Sequence, residues 1–97
     1  MIKIQVIHGP NLNLLGRRET DTYGVLTLGE IEALITDLAH ELKCQVEFFQ
    51  TNHEGELVDC IHSCQDRVDG ILINPAAFTH YSYAVRDAIS GVNLPVV

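Results

Sequence analysis

The hydrophobic pattern of this chain switches repeatedly between strand-like runs and helical spacing, and that alternation restricts the fold more than any motif. Ile2 to Ile7 is a short apolar run that reads as a buried strand. Thr27 and Glu30 have the T-x-x-E spacing of a capping box, and Ile31, Leu34, Ile35, Leu38 and Leu42 follow at helical spacing. They predict a first helix to about Lys43. Val46 to Phe49 reads as the second strand. The polar turn Thr51-Asn52-His53 leads into a second helix with Leu57, Ile61, Cys64 and Val68 on its buried face. Asp69-Gly70 turns the chain into a third strand, Ile71 to Ile73. Thr79 is placed to cap a third helix that packs through Tyr83, Ala84 and Ile89 and stops at Gly91. Leu94 to Val97 starts a fourth strand.

A β-α-β-α-β-α-β order predicts a parallel sheet with right-handed crossovers. We expect one α/β domain over residues 1–97, a flavodoxin-like doubly wound sheet in three α/β/α layers. Sheets of this class commonly have five strands, so the chain reads as truncated within strand four. Ligands of such sheets sit beyond the carboxyl ends of the strands, near the switch in strand order. The loops after the first three strands should share that rim.

Composition narrows the function. A formal charge of −7, with six cations that do not cluster apart from Arg17 and Arg18, argues against nucleic-acid binding. No apolar run is long enough to span a bilayer, and Met1 leads straight into a strand, so no membrane role and a cytoplasmic location are expected. The odd count of three cysteines fits reduced thiols. Cys60 and Cys64 lie on one helix face with His62 off it, which reads as packing and no metal site. Neither a Walker loop nor G-x-G-x-x-G is present, and Asn74 stands where a phospho-receiver would need an aspartate. A phosphate-cradling loop and a phospho-receiver site are therefore unsupported.

The stretch His8 to Gly24, HGPNLNLLGRRETDTYG, is seventeen residues long, against the usual two to six for a strand-to-helix loop. Its two arginines, tyrosine and two asparagines suit a small polar substrate and proton transfer. Tyr23 follows Arg18 by five residues. A free tyrosine ionises near pH 10, too high for a base at neutral pH. A guanidinium about 4 Å away favours a phenolate by on the order of 4 kcal/mol at an effective dielectric of 20, before desolvation opposes it. The plainer alternative is that Tyr23 packs the loop and Arg18 is solvated. Asn74 ends the third strand, followed by Pro75, Ala76 and Ala77, so a ligand can reach the backbone. His80 and Asp87 are seven apart and would share a helix face. Their alternatives are a capping or surface histidine and a solvated carboxylate.

At these residues the chain resembles the type II 3-dehydroquinate dehydratases. GPNLNLLGRRE with the following YG, TNHEGELVD, and INPAAFTHYSYAVRDAI resemble three signatures of that family, in order along the chain. The resemblance implies a lyase without cofactor or metal. It would dehydrate 3-dehydroquinate to 3-dehydroshikimate by anti elimination through an enolate, a step of the shikimate pathway leading to aromatic amino acids. It implies that Tyr23 is the base, that Arg18 keeps it ionised, and that Asn11 helps stabilise the enolate. Asn74 and His80 would bind substrate, and Asp87 would reach a neighbouring subunit's site. Arg17 to Gly24 would be a mobile lid, with Thr20 where the family usually has proline. The family assembles as trimers that form dodecamers. Its general-acid histidine follows strand four, beyond Val97, so this 97-residue chain alone is expected to be impaired. The alternative is a truncated, non-catalytic relative acting as an assembly or interaction module.

Overall fold

A computed structural model describes residues 1–97. Strand β1 (Ile2–His8) lies at the centre of a parallel sheet, flanked by β2 (Cys44–Gln50) and β3 (Gly70–Asn74) in the order β2-β1-β3. The expected fourth strand is the segment 95–97. It pairs in parallel with β3 through an Ile71–Val96 bridge, with Ile71 N–H donating to the Pro95 carbonyl at 3.0 Å and Ile73 N–H to that of Val97 at 2.9 Å. The sheet therefore runs 2-1-3-4, the doubly wound order, and its strand order switches between β1 and β3.

Helix α2 (Leu28–Leu42) begins at the expected cap. Thr27 Oγ1 accepts from Glu30 N–H at 3.1 Å, and Glu30 Oε1 accepts from Thr27 N–H at 3.2 Å, so the capping box is complete. The helix ends on Lys43 in the left-handed conformation, the usual helix-terminating geometry. It packs on the sheet face carrying Ile4, Val6, Val46 and Leu72, leaving an apolar trench of about 360 Å³ beside it. Leu38 and Leu42 line that trench and stay exposed.

The opposite face is sealed. Ile7 and Ile71 meet α3 (Glu54–Ser63) and α4 (Tyr83–Gly91) in a core with Leu57, Ile61, Cys64 and Val85. All four residues expected on the second helix's buried face are buried, although the helix stops at Ser63 and leaves Val68 in the turn beyond. Cys64 is one of the core's fully buried side chains. Burial, followed by the neighbouring Cys64, pushes the Cys60 thiol up to about 11.

Two expectations need correction. The third helix is capped by Ser82, not Thr79: Ser82 Oγ accepts from Val85 N–H at 3.0 Å. Thr79 lies inside a tight 3-10 run, Ala76–His80, that starts at Pro75 and drives Phe78 into the core. The chain must finish that turn before a helix can start, so Tyr81 breaks the geometry at φ −145°. The consequence is the second correction: His80 and Asp87 do not share a helix face. His80 closes the 3-10 run, and Asp87 sits within α4.

Candidate active site

Beyond the carboxyl ends of β1 and β3, where the strand order switches, lies a cavity of about 620 Å³. Asn11, Arg18, Tyr23, Asn74 and His80 all line it, with Leu15 and Ala76 among the apolar wall. Five of the six predicted site residues thus converge from two loops far apart in sequence. Asp87 does not join them. It lines a separate shallow depression with Tyr83 and Arg86, and Arg86 stacks over the Tyr83 ring at 5.4 Å rather than pairing with Asp87.

The floor of the cavity is fixed by hydrogen bonds between distant parts of the chain. Gly9 N–H donates to the Asn74 carbonyl at 2.8 Å, bringing the β1 loop against the end of β3. A Cβ on Gly9 would lie 2.5 Å from the Pro75 carbonyl oxygen, so the approach requires glycine. Asn74 Oδ1 accepts from Ala76 N–H at 3.0 Å, which fixes the carboxamide and leaves its NH2 group as the remaining donor. Ala76 sits at φ +52°, a conformation that costs an alanine about 1–3 kcal/mol. Asn11 is also left-handed at φ 68°, which asparagine tolerates.

The roof has a different construction. The long loop carries local structure that the sequence reading did not predict: Leu12–Leu14 forms a 3-10 turn and Thr20–Tyr23 a short helix, α1. Glu19, at φ 40°, precedes α1, and Gly24, at φ 82°, ends it. The backbone N–H groups of Arg17, Thr22, Tyr23 and Gly24 donate only to carbonyls three or four residues back. Arg18 lies over the Tyr23 ring with its guanidinium carbon 5.1 Å from the centroid, and it donates to Glu19 Oε1 at 2.9 Å. The guanidinium therefore addresses the ring face while Glu19 takes up one of its N–H groups. Tyr23 remains half-exposed.

One buried titratable group stands behind the floor. His8 is 5% exposed and lies parallel to Phe48 with ring centroids 6.1 Å apart. Its Nε2 lies 3.2 Å from Glu32 Oε1 without the alignment of a hydrogen bond, and the contact becomes an ion pair only when His8 is protonated. Burial lowers the His8 pKa below 6.5, with Glu32 opposing. His53, the third histidine near the rim, is the N-cap of α3 and makes no side-chain cap.

The sequence reading put Asn52-His53 on the shared rim but gave neither Asn52 nor Gln50 a role; both hold the floor from behind. Their signal was position: both sit where the carboxyl end of β2 meets the same rim.

A doubly wound parallel sheet with a polar cavity at its switch point defines a small-molecule-binding α/β protein of the flavodoxin-like class. Residues 2–97 match the dehydroquinase class II family, and the chain belongs to that family. Among its relatives is a 3-dehydroquinate dehydratase of Geotalea daltonii, 57% identical over 96 residues, covering 99% of this chain and 67% of that one. Another, from Caldicellulosiruptor saccharolyticus, is 54% identical over 98 residues, covering 100% of this chain and 68% of the relative. The crystal structure of a type II dehydroquinase from Propionibacterium acnes superposes with a TM-score of 0.93 at 38% identity, over 99% of this chain and 66% of that one. This chain thus spans about two thirds of the length of these relatives.

Proposed function

We propose that this chain carries the proton-abstracting half of a 3-dehydroquinate dehydratase site, which removes water from 3-dehydroquinate to give 3-dehydroshikimate. The observation that supports it most is the single cavity that brings Arg18 and Tyr23 from the roof together with Asn11, Asn74 and His80 from the floor. The relatives named 3-dehydroquinate dehydratase support the substrate.

In this reading the Tyr23 oxygen, as phenolate, takes the proton next to the substrate ketone. The C–H electrons form an enolate. Asn11 stabilises the developing charge, an effect that is strong because its position is fixed before the reaction. Arg18 places its positive charge over the face of the Tyr23 ring. The Asn74 NH2 group and the His80 ring bind substrate hydroxyl and carboxylate oxygens. The enolate then re-forms the ketone and expels the hydroxyl, which leaves as water on receiving a proton. The histidine that the family resemblance assigns to that last transfer lies outside these 97 residues. Asp87, on the outer face of α4, reaches the site of a neighbouring subunit in a trimer-based dodecamer. The roof, Arg17 to Gly24, closes over bound substrate and excludes water. The reaction takes place in the cytoplasm.

The test is the ultraviolet absorbance of the conjugated enone product after mixing the chain with 3-dehydroquinate. A steady rise supports the dehydratase. A flat trace, with no deuterium entering the substrate next to its ketone in D2O, favours the non-catalytic relative.

A further inference from the structure

Asn11 owes its place on the cavity floor to a contact with the end of β2. Its backbone N–H donates to Asn52 Oδ1 at 2.9 Å. The same oxygen accepts from Gln50 Nε2 at 3.1 Å. Both lone pairs of the Asn52 carboxamide oxygen are therefore used. The orientation of this carboxamide follows from its partners: a backbone N–H can only donate, so the atom facing it must be the oxygen. Gln50 Nε2 also lies 3.2 Å from the Gly9 carbonyl oxygen and 3.4 Å from Asn13 Oδ1. With two N–H groups and three acceptors, Gln50 shares one donor between two oxygens. The pair thus grips the β1 loop at Gly9, Asn11 and Asn13, on both sides of the left-handed residue that the chemistry uses.

We infer that Asn52 is a positioning residue for the dehydration, with Gln50 as its support: it holds the Asn11 backbone in its left-handed conformation and so aims the Asn11 side chain at the reacting centre. The inference rests on the role proposed above for Asn11. Neither Gln50 nor Asn52 lines the cavity, so their effect reaches the substrate only through the loop. Displacing a fixed polar group by about 1 Å can cost up to about a hundredfold in rate without changing binding much.

Two variants of the full chain separate this role from simple packing. Asn52→Leu keeps the side chain's branching at Cγ, with a somewhat larger volume, and removes the acceptor, whereas Asn52→Asp keeps an oxygen facing the Asn11 N–H. Amide hydrogen exchange read residue by residue should show Asn11 N–H exchanging roughly fivefold faster in Asn52→Leu, close to wild type in Asn52→Asp, with the Ile7 and Ile61 amides unchanged in both. In turnover of 3-dehydroquinate, Asn52→Leu should lower kcat by about tenfold to a hundredfold with KM little changed, and Asn52→Asp should recover most of that loss. Equal Asn11 exchange in Asn52→Leu and wild type would overturn the inference, as would a kcat that falls alike in both variants. The exchange measurement needs no turnover. It decides the Asn52–Asn11 link even if the wild type leaves 3-dehydroquinate unchanged, an outcome that would count against the dehydratase reading instead.

Discussion

The roof of the cavity and part of its floor come from neighbouring stretches of one loop, yet floor and roof are held in opposite ways. The floor, Gly9 to Asn13 with Asn74 to Ala77, is tied by hydrogen bonds that join residues dozens of positions apart, such as Gly9 to Asn74 and Asn11 to Asn52. The roof, Arg17 to Gly24, bonds almost entirely to itself. Tyr23 is exposed there, and no cross-chain hydrogen bond fixes its side chain. Long-range bonds keep a charge-stabilising group still, which is what preorganisation requires. Local bonds let a segment move as a unit and cost little to reposition. The difference suits the roles proposed above, with charge stabilisation on the fixed floor and proton transfer on the roof.

Substitutions at the glycines should show the contrast most sharply. Gly9→Ala places a Cβ 2.5 Å from a backbone oxygen of the opposite loop. We expect a loss of about 2–4 kcal/mol in urea unfolding, with activity falling as the floor separates. Gly24→Ala meets no atom within 4 Å but must hold φ 82°. Its cost should be about 1–3 kcal/mol and confined to the roof, visible as faster amide exchange at Thr22 and Tyr23 with the Ile61 amide unchanged. Equal global destabilisation by the two would break the comparison. Thr27→Ala removes the cap where the loop enters α2, and the unfolding midpoint should report a loss of about 1 kcal/mol.

The smallest effect concerns pH. His8 is lowered in the folded state by burial, so between its folded pKa and 6.5 the unfolded chain binds more protons than the folded one. Its contribution to stability is complete above pH 6.5 and is lost as pH falls toward and through the folded value. Urea unfolding at about pH 7.5 and pH 5.5 should show wild type losing more stability on acidification than His8→Gln. Equal losses would remove His8 from this role.

Much of this was legible in the residues. The period changes located every major strand and helix, and T-x-x-E marked the α2 cap, because those signals are local. The cavity residues were legible through the topology, which brings the ends of β1 and β3 together whatever lies between. The Pro75–His80 region was not. Burial of Phe78, a tertiary contact, forces a 3-10 turn there and delays the helix to Ser82. The short helix Thr20–Tyr23 was also hidden, since four residues carry no hydrophobic period. Asn52 could be placed on the rim, but its contact could not be read, because it acts on a backbone N–H forty-one positions away.

The central proposal is that Tyr23, on the locally bonded roof, abstracts the proton. Deuterium uptake by 3-dehydroquinate next to its ketone, followed by NMR in D2O, reads that step without requiring departure of the hydroxyl. With wild type the label should enter the substrate or its product. With Tyr23→Phe it should enter about 10²–10⁴ times more slowly while the unfolding curve stays the same. Undiminished uptake in Tyr23→Phe would contradict the account and move the base elsewhere in the cavity.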